Sequence, residues 1–172
     1  ERIQHLLLMV SFMLLVLTGF ALKFPESFWA GPVVAWEGRW PVRGWIHRGA
    51  AIVLIAAGLL HVIYLLLSPA GRAHWKQLLP RRRDLGELLA FFRQYFGGPP
   101  ARLSAYNYTH KFEYWALVWG TLVMALTGFL LWFNDFSLRY LPRRALDLST
   151  TVHYYEAILA ALAVLIWHGY SV

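Results

Sequence analysis

Cysteine is absent from the sequence, which excludes disulfides, thiolate-held iron–sulfur clusters and covalently attached c-type haem within it. Charge is scarce as well. Asp, Glu, Lys and Arg make up 15% of the 172 residues, while 59% are hydrophobic and 17% aromatic. A soluble domain of this size lacks the interior to bury so much apolar surface. Acidic residues are scarcest, nine against sixteen Lys and Arg, leaving a net charge of +7. That balance would suit nucleic acid in a soluble protein, but its placement excludes this partner here. Arg72, Lys76, Arg81, Arg82, Arg83, Arg93 and Arg102 fall in one stretch between two apolar runs, opposed only by Asp84 and Glu87, and the other connections are nearly neutral.

Four apolar runs, about 5–24, 45–67, 112–133 and 151–172, reach the roughly 20 residues needed to cross a bilayer as helix. Unpaired backbone groups are too costly in lipid for any other form. The reading is an all-α integral membrane protein with four transmembrane helices and a basic loop over 68–109, in contact with membrane lipid. The positive-inside rule assigns that loop, and both ends of the segment, to the cytoplasm. Within it "LGELLAFFRQYF" is apolar at Leu85, Leu88, Leu89, Phe92 and Phe96, as in a short helix lying on the inner surface or covered by a partner. The sequence starts without Met and stops without a polar flank, so a longer parent chain is expected. The first run is too long for a signal core and lacks a small-residue cleavage pattern after it.

The halves resemble each other. "VLTGFALKF" in the first run is matched by "ALTGFLLWF" in the third, and "IHRGAAIVLIAAGLLHV" in the second by "VHYYEAILAALAVLIWHG" in the fourth. His47 thus answers His153, and His61 answers His168. Two similar helix pairs imply a pseudo-symmetric four-helix bundle. On a straight helix His47 and His61 lie about 21 Å and about 40° apart, and His153 and His168 about 22 Å and about 60° apart. Each pair occupies one face at two depths. A lone histidine in a bundle is more often a polar contact than a ligand. Four at matched spacing on two helices of the same direction are what bis-imidazole haem needs, one apposed pair at each depth. Small residues beside them, Gly49, Ala50, Ala57 and Gly58 in one helix and Ala157, Ala160 and Ala161 in the other, leave room for a porphyrin.

Other polar groups are secondary candidates. His5 lies at the same end of the bundle as His61 and competes with it as partner of His168. His110 is a headgroup, propionate or quinone contact, or a further ligand, while His74 is read as solvated. Arg2, Lys23, Arg43, Arg48 and Lys111 can pair with haem propionates or snorkel to the surface. His5, His110, Lys111 and Glu113 gather toward the inner side, where a quinone could react. Thr18 and Thr127 should bond back to their own helices, with Gly19 and Gly128 allowing close packing.

"ERIQHLLLMVSFMLLVLTGFALKF", "IHRGAAIVLIAAGLLHVIYL", "YNYTHKFEYWALVWGTLVMALTGFLLWF" and "VHYYEAILAALAVLIWHGY" together resemble the bacterial four-helix dihaem cytochrome b family. That family includes the gamma subunit of formate dehydrogenase and the cytochrome b of nickel–iron hydrogenase. The likeness is greatest to members partnered with, or fused to, multihaem c-type cytochromes. It implies a bacterial inner-membrane location and two b-type haems, the outer held by His47 and His153 and the inner by His5 and His168. His61 is extra to that pattern, and its spacing from His47 resembles the cytochrome b of bc complexes. The partner of His168 is therefore His5 or His61, and the leftover histidine with His110 leaves a third haem open.

The expected function is a membrane electron-transfer subunit between the quinone pool and a peripheral redox partner, a multihaem cytochrome c or dehydrogenase module. The alternatives are a proton or ion translocator using the histidines and Glu156 as relays, and a haem-free anchor.

Overall fold

The computed structural model of the chain describes residues 2–35, 41–101, 103–104 and 106–169, with the side chains of all but Trp167 and His168. Among the described residues every regular element is helical: α1 (Arg2–Lys23), α2 (Gly31–Ala35), α3 (Val42–Leu67), α4 (Pro69–Leu78), α5 (Arg82–Tyr95), α6 (Tyr108–Trp132), α7 (Asn134–Tyr140) and α8 (Arg143–Leu162), the last continued by a π-helical turn, Ala163–His168. Four helical spans, Arg2–Lys23, Val42–Leu67, Tyr108–Trp132 and Arg143–Ile166, are long and apolar enough to cross a membrane.

Burial is the reverse of a soluble protein's. Many of the buried residues are small, among them Ser11, Thr18, Ala21, Ala50, Ala57, Ser149 and Ala161, while large side chains such as Leu59, Leu60, Leu66 and Leu126 face outward. Lipid is as apolar as leucine, so helices gain little by hiding leucines from it. They gain by close approach, which small residues permit.

The fourth span starts at Arg143, eight residues before the apolar run that marked it in the sequence. The intervening "RRALDLST" is polar but helical for a local reason. Ser149, Thr150 and Thr151 each donate their hydroxyl to the carbonyl four residues back, at 2.8, 3.0 and 3.0 Å, so these side chains consume their own polarity within the helix. Pro142 precedes the first turn, and its ring ends the preceding segment there.

The chain divides into two units, Glu1–His61 with Val123–Val172, and Val62–Leu122. In the first, α1 and α3 run antiparallel, since Gln4 donates to the Ala57 carbonyl at 3.0 Å while Thr18 meets His47 at the other end. In the second, the basic loop is largely helical. Ser68 accepts the Gly71 N–H and Pro69 fills the first position, opening α4. Asp84 accepts the Arg81 N–H at 2.6 Å, opening α5, and Gly97, at φ 82°, closes it, a conformation that favours glycine.

The second unit is fastened by a buried ion pair. Both oxygens of Asp84 lie 2.8 Å from Lys111 Nζ, and these side chains are only 12% and 5% exposed. The pair ties α5 to the first turn of α6. Beside it the Trp115 indole donates to the Leu78 carbonyl at 3.0 Å and its ring meets that of Trp75. Asn107 caps α6, its side-chain oxygen accepting the Thr109 N–H at 3.0 Å.

Burial alone would raise the Asp84 carboxyl, but the Lys111 hydrogen bond, the Arg81 N–H and the charges of Lys111 and Arg83 together hold it below the ordinary value of 3.8. The pair's contribution is thus fully present above that ordinary value and is lost as pH falls through the lowered one. Asp84→Asn, which strands the Lys111 ammonium in a buried place, should cost about 3 kcal/mol. In thermal unfolding across acid pH, the wild-type midpoint should fall below about pH 4 and that of Asp84→Asn should start lower and lose this dependence.

Candidate functional site

In the first unit the imidazoles of His47 on α3 and His153 on α8 lie with ring centres 6.4 Å apart and planes tilted by 57°. Both residues are half-buried. A metal–imidazole bond is about 2 Å long, so two rings on opposite sides of one ion have centres roughly 6 Å apart once half a ring is added on each side. The observed separation fits an ion shared between them.

Each ring is held by a threonine of the repeated Thr-Gly-Phe triplet. Thr18 Oγ1 lies 2.8 Å from His47 Nδ1, and Thr127 Oγ1 lies 2.8 Å from His153 Nδ1. A hydroxyl has one proton to donate. Thr18 spends it on the Leu14 carbonyl at 2.5 Å and Thr127 on the Val123 carbonyl at 2.7 Å. With the hydroxyl proton on the carbonyl, the imidazole is the partner that donates, from Nδ1, and its Nε2 keeps a bare lone pair. That is the tautomer a metal ligand needs, set by the group behind it.

The adjoining glycines lie against the same rings. A Cβ at Gly19 would come 3.5 Å from His47 Cε1, and one at Gly128 3.2 Å from His153 Cε1. The first is ordinary contact and the second is crowded. The sequence suggested that these threonines bond to their own helices, which they do, but not that they also reach histidines on other helices. The signal was present in the parallel recurrence of Thr18 with His47 and of Thr127 with His153 in the two halves.

Among the described residues no three His, Cys, Asp or Glu side chains converge as a metal site. Two imidazoles are a poor set for a bare ion, yet they complete an iron already held by four porphyrin nitrogens. The donor set therefore fits haem.

The same unit carries several cations. Arg43 donates to the Thr18 carbonyl at 3.3 Å, Arg48 stands 5.2 Å over the Trp132 ring and Lys23 stands 4.7 Å over the Tyr154 ring. Arg2 is exposed on the first turn of α1.

At the opposite end of α3, the bond from Gln4 to Ala57 sets the first turn of α1, which carries His5, at the level of the α3 turn that carries His61. His5 is exposed and His61 half-buried. The side chain of His168 lies outside the described residues. Its backbone falls in the π-helical turn Ala163–His168, and this turn accounts for the uneven spacing of the repeat. His153 and His168 are fifteen apart where His47 and His61 are fourteen apart. A wider turn absorbs one extra residue while advancing less than the usual ~100° per residue. It therefore carries position 168 back toward the face of position 153.

The remaining candidates belong to the second unit. The His110 ring is engaged by the Asn107 side-chain oxygen at 3.0 Å, and the Lys111 ammonium is committed to Asp84. Glu113 is half-buried on the next part of α6.

The fold defines a helical membrane bundle, and the threonine-backed imidazoles give it a place for a metal-centred cofactor. The whole chain, residues 1–172, matches the prokaryotic cytochrome b561 family, and the chain belongs to that family. Among known proteins it is similar to the cytochrome b556 subunit of formate dehydrogenase from Haemophilus influenzae, 24% identical over 167 residues that cover 96% of this chain and 65% of the relative. The chain thus spans about two-thirds of that relative's length. Membership implies haem b as cofactor and a bacterial membrane as location.

Thr18→Val and Thr127→Val each leave an Nδ1–H without its acceptor. Each should weaken haem retention by roughly 10- to 100-fold and shift a reduction midpoint, whereas the serine variants should hold both near wild type. Haem titration and potentiometry of the purified variants check this. By the glycine geometry Gly128→Ala should broaden or shift the reduced absorption bands while Gly19→Ala leaves them unchanged, as optical spectra of the dithionite-reduced proteins will show.

Proposed function

We propose that His47 and His153 ligate one b-type haem and that His168, with either His5 or His61, ligates a second, so that the chain passes electrons between the quinone pool and a peripheral redox subunit. The observation that carries this reading is the facing imidazole pair, each ring with its Nδ1 2.8 Å from the hydroxyl of Thr18 or Thr127. Haem supplies one-electron iron chemistry and a conjugated ring that spreads the charge. The chain's own residues do the rest.

Thr18 and Thr127 hold each imidazole in the ligating tautomer and fix its rotation. Gly19 and Gly128 keep α1 and α6 close to the rings. Arg43, Arg48 and Lys23 supply positive charge for propionates near the His47 level, and Arg2 does so at the other end.

The quinone reading rests on the likeness to a cytochrome b subunit of formate dehydrogenase and on polar groups near a span terminus. Of these Glu113, and His110 through the edge of its ring that Asn107 does not engage, are the contacts for a quinone headgroup, while Lys111 serves the ion pair with Asp84. The partner is a dehydrogenase module or a multihaem cytochrome c. The basic 68–109 segment faces the cytoplasm, in keeping with the positive-inside rule.

Pyridine haemochrome quantification per chain tests the assignment. Wild type should carry two haems, and His47→Ala and His153→Ala should each lose the same one. The variants His5→Ala and His61→Ala identify the partner of His168, since the ligand's removal costs the second haem and the other's does not. A purified chain with no reduced b-type bands would sink the whole reading.

A further inference from the structure

We propose that α5 is seated in the surface of an anionic membrane, its outer stripe among the acyl chain ends and its arginines on lipid phosphates. The argument starts from how this helix sorts its side chains. Its two carboxylates both turn inward, Asp84 onto Lys111 and Glu87 onto the Ser104 N–H and Arg83, and they are only 9% and 7% exposed. The outward surface of α5 therefore keeps no negative charge.

What α5 does present is apolar and cationic. At ~100° per residue Leu85, Leu89, Phe92 and Phe96 fall within a stripe about 60° wide, and they are 61%, 59%, 54% and 88% exposed. Arg82 and Arg93 follow along one border of that stripe, both exposed. Large apolar side chains edged by arginine, with no acid among them, are complementary to phosphate lying over hydrocarbon.

The ion pair sets the depth. Lys111 belongs to the first turn of α6, a helix long enough to cross the membrane, so Asp84 holds α5 at the level where that span meets the headgroups. A helix held there has its outward stripe at the lipid boundary.

The absence of cysteine makes the test direct, because Leu89→Cys carries a single fluorophore at an exposed position. The haem-loaded full chain bearing it is reconstituted into phosphatidylcholine vesicles with and without phosphatidylglycerol, each containing a nitroxide-labelled lipid. Quenching should be strong with phosphatidylglycerol and weaker without it. Arg82→Gln and Arg93→Gln should each lower the ratio of quenched to unquenched label roughly fivefold in anionic vesicles, and added salt should act in the same direction. A label that stays in water in both vesicles, or quenching indifferent to both the anionic lipid and the arginines, overturns the proposal. So does shielding found only when another subunit copurifies, which would assign the stripe to a protein partner.

Discussion

The single proton of a threonine hydroxyl decides the chemistry at the centre of this bundle. Given to the carbonyl one turn back, it leaves the oxygen able only to accept, and the imidazole behind it has to donate. The consequence passes from the helix backbone through the side chain to the far nitrogen of the ring. The same arrangement recurs at His153, so two separate helix pairs present the same lone pair by the same means. A threonine that was free to rotate could offer its proton to the ring instead, and the ring would then lose its fixed tautomer.

Lipid as solvent explains why so little else is buried. Alanine, serine and threonine are prominent among the buried residues of the spans, and Ser11, Thr18, Thr127 and Ser149 bond back to their own helices. The second unit follows a different rule, because its buried groups are charged. Asp84 and Lys111 each cost desolvation, and their bidentate contact offsets it only while both are present. One unit is thus organised by hydrogen bonds around the facing imidazoles and the other by an ion pair that fastens α5 to α6.

Much of this was legible in the sequence, for identifiable reasons. Hydropathy over about 20 residues reports a spanning helix directly, and histidines in grease stand out because they are costly there. The amphipathic pattern of α5 was visible at residues 85, 88, 89, 92 and 96. The start of α8 was not, because Ser149, Thr150 and Thr151 read as polar although their hydroxyls are spent within the helix. Lys111 read as a cation for propionates, a quinone or the membrane surface, because its partner lies 27 residues away with no periodic signal. The histidine–threonine bonds join residues 29 and 26 apart. Only the repeat, taken as a whole, connects them.

The π-helical turn at Ala163–His168 bears on how such a repeat can change over time. An extra residue in a regular helix rotates everything beyond it by about 100°, which would scatter any ligand further along. A widened turn confines that disturbance to a few peptide units, at the expense of poorer hydrogen bonds. Two similar halves of a chain can therefore differ in length while the faces that carry their histidines stay in register, and a local defect in one helix preserves the match between the halves.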